Sequence, residues 1–81
     1  MIMNEATAVR IIDGRHLEPP EPFILTMEAL DVIKPGQQVL LQLGREPFPL
    51  YRALELNGYI WQTNRLADGT VEILIWQRTD E

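Results

Sequence analysis

Cysteine and serine are both absent from the 81 residues, and each absence closes a class of chemistry. Without cysteine there is no disulfide staple, no thiolate metal ligand and no atom on which a persulfide could form, since a methionine thioether cannot carry one. Without serine the commonest hydroxyl nucleophile is missing. Lys34 is the only lysine and His16 the only histidine, while acidic residues outnumber basic ones and leave a formal net charge of −5. That balance speaks against a binder of nucleic-acid backbone, which must neutralise phosphates with a basic surface. No apolar run nears the roughly 18 residues needed to cross a bilayer, and nothing resembles a signal peptide, so a cytoplasmic location without membrane attachment is expected. Glycine-rich phosphate loops are also lacking, because "GREP" has neither the glycines nor the lysine of such a loop.

What is present suits one small domain. Hydrophobic residues make up 46% of the chain, and a domain of this size buries about 60% of its unfolded surface. A single domain over residues 1–81 is expected, with residues 1–5 as a flexible tail. "ATAVRIID", Ala6 to Asp13, is β-branched and half-alternating, and predicts a strand that Gly14 ends. A helix follows, with Phe23, Met27 and Leu30 at helical spacing, Pro22 tolerated near its first turn, and "KPG" at Lys34 to Gly36 as its stop. "QVLLQL", Gln38 to Leu43, reads as an interior strand. After a second proline-rich loop, "GREPFP", a shorter helix carries Leu50, Ala53, Leu54 and Asn57 along one side, with Gly58 placed as its C-terminal cap. "YIWQTNRL" and "TVEILIWQR" then form a hairpin across Ala67-Asp68-Gly69.

Each β-α-β step implies a parallel pair with a right-handed crossover, so the expected fold is an α+β two-layer sandwich in the order β-α-β-α-β-β, a four-stranded mixed sheet with both helices on one face and the other face open. If the hairpin loop has three residues, Leu66 pairs with Thr70 and Trp61 lies opposite Ile75. Tyr59, Trp61, Thr63, Val71, Ile73 and Ile75 then face the core. Ile60, Leu74 and Trp76, joined by Leu40, fall on the open face.

Between the first strand and first helix stands "DGRHLEPPEP". With this junction and the element order, the chain resembles the sulfur-relay proteins of the TusA (SirA-like) family, whose signature here is Gly-Leu-x-Cys-Pro-x-Pro. On this chain the leucine is Leu17, the Pro-x-Pro is Pro20-Glu21-Pro22, and the cysteine falls on Pro19. "EPPEP" and "REPFPLY", Arg45 to Tyr51, are similar to motifs of a cysteine-less, uncharacterised group of relatives. The resemblance implies the same sandwich. It also implies a scaffold from which the sulfur-carrying atom is gone, so sulfur transfer by this chain alone is not expected.

The residues leave two candidate surfaces. One is the edge where the first two strands end and both helices begin, expected to gather Arg15, His16, Glu18, Pro19, Glu21, Arg45, Glu46 and Tyr51. Helix N-termini at such an edge can bind anions, and arginine forks suit carboxylate or phosphate. The alternative is a structural clamp in which Arg45 pairs with Glu21 or Glu46. The other surface is the open face, with Leu40, Ile60, Leu74 and Trp76 as an interface for a protein partner or a second copy. No catalytic residue, metal or cofactor is expected. Three function classes stay open: a non-catalytic binding or regulatory module; an accessory protein that docks on sulfur-relay or redox and metal-handling partners; and a small-molecule enzyme or anion binder using Arg45, His16 and Glu21. The relay fold also resembles the C-terminal domain of a translation initiation factor, but the acidic balance argues against RNA.

Overall fold

A computed structural model of the chain describes residues 8–78. The expected tail, residues 1–5, and the first two residues of the expected opening strand lie outside the described residues. The elements follow the anticipated order: β1 (Ala8–Asp13), α1 (Glu21–Val32), β2 (Gln38–Leu43), α2 (Phe48–Leu56), β3 (Tyr59–Arg65) and β4 (Val71–Gln77). They form one sheet in the spatial order β1-β2-β4-β3.

β1 runs parallel to β2, with Ile11 beside Leu40 and Ile12 beside Leu41. β4 is antiparallel to both of its neighbours, with Leu40 opposite Leu74 and Trp61 opposite Ile75. β2 and β3 thus point the same way, but β4 lies between them, so the parallel pair expected of the second β-α-β step does not form. α2 carries the chain over a gap that the last strand fills.

The hairpin is as the spacing predicts. Leu66 N–H donates to Thr70 C=O at 2.8 Å and Gly69 N–H donates to Leu66 C=O at 3.1 Å. Gly69, at φ 92°, takes the left-handed conformation the turn requires. Gly58, at φ 80°, closes α2 in the same way, with its N–H on Glu55 C=O.

One core lies on one side of the sheet. Val39 and Leu41 of β2 and Val71, Ile73 and Ile75 of β4 are buried against Ala29 and Leu30 of α1, Ile33 just beyond it, and Leu50 and Leu54 of α2. Because residues two apart in a strand share a face, this cluster places both helices on the same side. Tyr59 and Trp61 pack at its margin.

The buried stripe of α1 differs from the one read in the sequence. Pro22, Thr26, Ala29 and Leu30 are buried, whereas Phe23 is 36% exposed and Met27 is only partly buried. α1 is apolar almost all round near its start, so spacing alone does not choose the face. The sheet selects Thr26 and Ala29, whose small side chains let the helix approach closely. The Oγ1 atom of buried Thr26 has no hydrogen-bond partner among the described residues.

Candidate functional site

The C-terminal ends of β1 and β2 adjoin, and each chain leaves its strand to begin a helix. Gly14 prolongs the pairing, its N–H donating to Gln42 C=O at 2.8 Å. A Cβ on Gly14 would sit 2.9 Å from Leu43 Cδ2, 3.2 Å from Pro22 Cβ and 3.3 Å from the Gln42 carbonyl oxygen. An alanine there would have to displace the end of the Leu43 side chain and press on Pro22 and the Gln42 carbonyl.

The two helix starts and two strand ends enclose a cleft of about 850 Å³. Five of the chain's six prolines line it, Pro19, Pro20, Pro22, Pro47 and Pro49, together with both phenylalanines, Phe23 and Phe48. Leu17, Leu41, Leu43 and Leu50 complete an apolar lining. Phe48 is 66% exposed although its helix is short and packed, so its ring forms a rim of the cleft.

The prolines also change what the two helix starts can donate. α1 follows Pro20 and α2 follows Pro47, neither with a side-chain cap. In α1 the Glu21 N–H is taken by Glu18 C=O and the Ile24 N–H by Pro20 C=O. In α2 the Leu50 and Tyr51 N–H groups both go to Pro47 C=O. Proline supplies no N–H, which leaves Phe23 and Phe48 with the unpaired first-turn donors among the described residues. The edge is thus far poorer in donors than two helix N-termini ordinarily are.

Three charged side chains line the cleft: Arg15, Arg45 and Glu46. Arg15 is held by Asp13 through Nε to Oδ1 and Nη2 to Oδ2, both 2.8 Å. Those bonds and the Arg15 N–H on Oδ1 keep the Asp13 carboxyl well below the usual carboxylate range. Asp13 correspondingly raises the Arg15 guanidinium further. Glu46 turns away from Arg45: it pairs with Arg65 of β3 and accepts from Tyr51 Oη at 3.2 Å. Tyr51 in turn shares a 2.7 Å bond with Thr63 Oγ1 and stacks on Trp61 with ring centroids 5.3 Å apart. Burial pushes the Tyr51 phenol up, against the opposing bond from Thr63, so it remains a donor at neutral pH. Arg45 has no carboxylate partner among the described residues.

The expected edge is accordingly only partly assembled. Arg15, Pro19, Arg45 and Glu46 line the cleft. His16, Glu18 and Glu21 are exposed and do not line it, and Tyr51 faces β3 instead. The clamp between Arg45 and Glu21 or Glu46 does not form, because Arg65 reaches Glu46 from a strand the loop packs against. Arg45, His16 and Glu21 do not share the cleft as an acid-base enzyme would need. No three carboxylate or imidazole side chains among the described residues are grouped to hold a metal ion.

Sequence reasoning missed the walls rather than the charges. Phe23 reads as core and Phe48 as an ordinary loop residue. The signal available was that "EPPEPF" and "REPFP" each end a proline cluster with an aromatic ring.

On the opposite side of the sheet, Leu40, Ile60, Leu74 and Trp76 are half-buried and share the open face as expected. Ile11, 67% exposed, joins them through its register with Leu40. Along the cleft-proximal end of this face a polar row, Asp13, Gln42, Glu72 and Asn64, bounds the patch, with Gln42 Nε2 donating to Glu72 Oε2 at 3.1 Å.

No curated protein matches the chain. Among solved structures it is similar to the crystal structure of a SirA-like protein from Desulfitobacterium hafniense. The TM-score is 0.76 at 22% identity, over 88% of this chain and 100% of that one. That likeness establishes the SirA-like fold. The family of uncharacterized conserved proteins designated DUF2249 matches residues 11–77, and with nearly all of the sandwich inside that match the chain belongs to this family.

Proposed function

We propose that the protein is a non-catalytic, cytoplasmic binding module whose recognition site is the cleft between the two proline-rich loops. The observation that supports this reading is the cleft itself: about 850 Å³, within the range of small-molecule sites, walled by rigid proline rings and two phenylalanines. Proline walls suit recognition because their shape is set before the ligand arrives, so little ordering is needed on binding. Reaction chemistry has no comparable support. The chain carries no cysteine, Pro19 stands where the relay proteins' cysteine would align, and the only histidine lies outside the cleft.

A screen of small fragments by amide NMR tests the reading. Bound fragments should shift the amides of Gly14, Phe23, Leu43, Gly44, Arg45 and Phe48, and Phe48→Asp should abolish those shifts. A screen in which no fragment of any charge moves these amides overturns it.

The open sheet face favours a second reading, an interface for a protein partner or another copy. Its support is the apolar row Ile11, Leu40 and Leu74, aligned across three strands, with Trp76 and Ile60 adjoining. Contiguous apolar patches of this kind mark interaction surfaces.

A further inference from the structure

We propose that the ligand class of the cleft is an amphipathic monocarboxylate: an aromatic or branched aliphatic body between the proline and phenylalanine walls, with one carboxylate on Arg45. The inference rests on the cleft being a binding site and names what it takes. Charge pairing supplies the first argument. Of the three charged side chains lining the cleft, Arg15 is neutralised by Asp13 and Glu46 by Arg65. Of these three, only Arg45 has no ion-pair partner among the described residues. One unpaired planar fork among the residues lining an apolar space is complementary to one carboxylate attached to an apolar body.

Donor supply gives the second argument and separates carboxylate from phosphate. A phosphate group presents three oxygens and is ordinarily cradled by several backbone N–H groups at a helix start. Here the positions that would supply them are Pro19, Pro20, Pro22, Pro47 and Pro49, and the remaining first-turn donors other than those of Phe23 and Phe48 are already bonded. Two carboxylate oxygens are satisfied by the Arg45 fork without such a cradle. The net charge of −5, with Glu18 exposed in the flanking loop and Glu21 exposed at the start of α1, further disfavours a polyanion.

The test compares phenylacetate, phenylacetamide and inorganic phosphate by amide NMR titration of the intact chain, with Arg45→Gln alongside. Phenylacetate should shift the cleft amides and bind about tenfold more tightly than the isosteric amide, the lower end of what a charge-assisted hydrogen bond supplies. In Arg45→Gln the two should bind alike. Arg45→Lys, which keeps the charge but not the fork, should restore only part of the difference. Equal binding of phenylacetate and phenylacetamide to the wild type would overturn the carboxylate assignment while leaving the cleft a binding site. Preference for phosphate, or an undiminished preference for the acid in Arg45→Gln, would overturn it as well. Failure of all three probes while fragments of other chemistry shift the same amides would reject the ligand class alone.

Discussion

Asp13 carries its charge in a setting built chiefly by one neighbour, Arg15. Three bonds from Arg15 lower its pKa, so the folded protein holds the carboxylate ionised to more acidic pH than the unfolded chain does. The stability this contributes is fully present above the unfolded pKa and is lost as pH falls through the folded one. A carbon-detected NMR titration should find Asp13 titrating below the usual aspartate range, and Arg15→Ala, which removes the two guanidinium bonds but keeps the backbone N–H on Oδ1, should move it part of the way back. A wild-type midpoint at the ordinary value would show that the pair does not persist in solution. Tyr51 behaves differently, because its hydroxyl joins Glu46 to Thr63. Tyr51→Phe keeps the stack on Trp61 but removes both bonds, and should cost about 1 kcal/mol in chemical denaturation. At this scale the sequence was only partly legible. It marks Arg45 and Glu46 as chemistry-bearing neighbours, but not that Arg65, nineteen positions on, would take Glu46 and leave Arg45 unmatched. Such a pairing depends on where β3 lies, which local pattern does not encode.

Among the elements, α1 is held most closely to the sheet at its start. A methyl group on Gly14 would come within 3.2 Å of Pro22 Cβ, tighter than ordinary packing allows. Gly14→Ala should therefore destabilise the fold by about 1–3 kcal/mol, the usual cost of overpacking, and should broaden or shift the cleft amides as α1 is displaced. An alanine variant of unchanged stability and spectrum would show that the helix start is looser than its packing implies. The elements themselves were legible because their punctuation is chemical: prolines at the first turns of both helices, Gly58 and Gly69 where the backbone needs positive φ, and β-branched or alternating runs between. The buried face of α1 was not legible. "PFILTMEAL" offers apolar residues in almost every direction, and the choice between Phe23 and Thr26 follows from how near the sheet comes. The same displacement that frees Phe23 from the core makes it a wall of the cleft, so one misreading hid both facts.

For the whole molecule, no described element covers one face of the sheet, and the two faces differ in kind. One is sealed by helices over Val39, Leu41, Ile73 and Ile75; the other shows Ile11, Leu40 and Leu74 in a row beside Trp76. If that face is an interface, sedimentation at increasing concentration should reveal self-association or a captured partner, and Trp76→Glu should abolish it while the helical circular dichroism is kept, since aromatic residues dominate interface cores. A wild-type protein that stays monomeric at high concentration and binds the same partners after substitution would remove this surface from consideration. The layer arrangement was legible from element order and the two faces of the hairpin from its loop length. The strand order was not, because nothing local tells the last strand to insert rather than to append. That insertion carries a consequence for how the molecule is made. β4 is the sole hydrogen-bonded link between β3 and the β1-β2 pair, yet it is the last of the described strands to be synthesised. A nascent chain ending before Val71 can hold a parallel pair and, apart from it, a lone strand, but no continuous sheet. The ribosome must therefore release nearly the entire domain before any of it becomes resistant to protease, and stalled chains of increasing length should acquire that resistance in one late step.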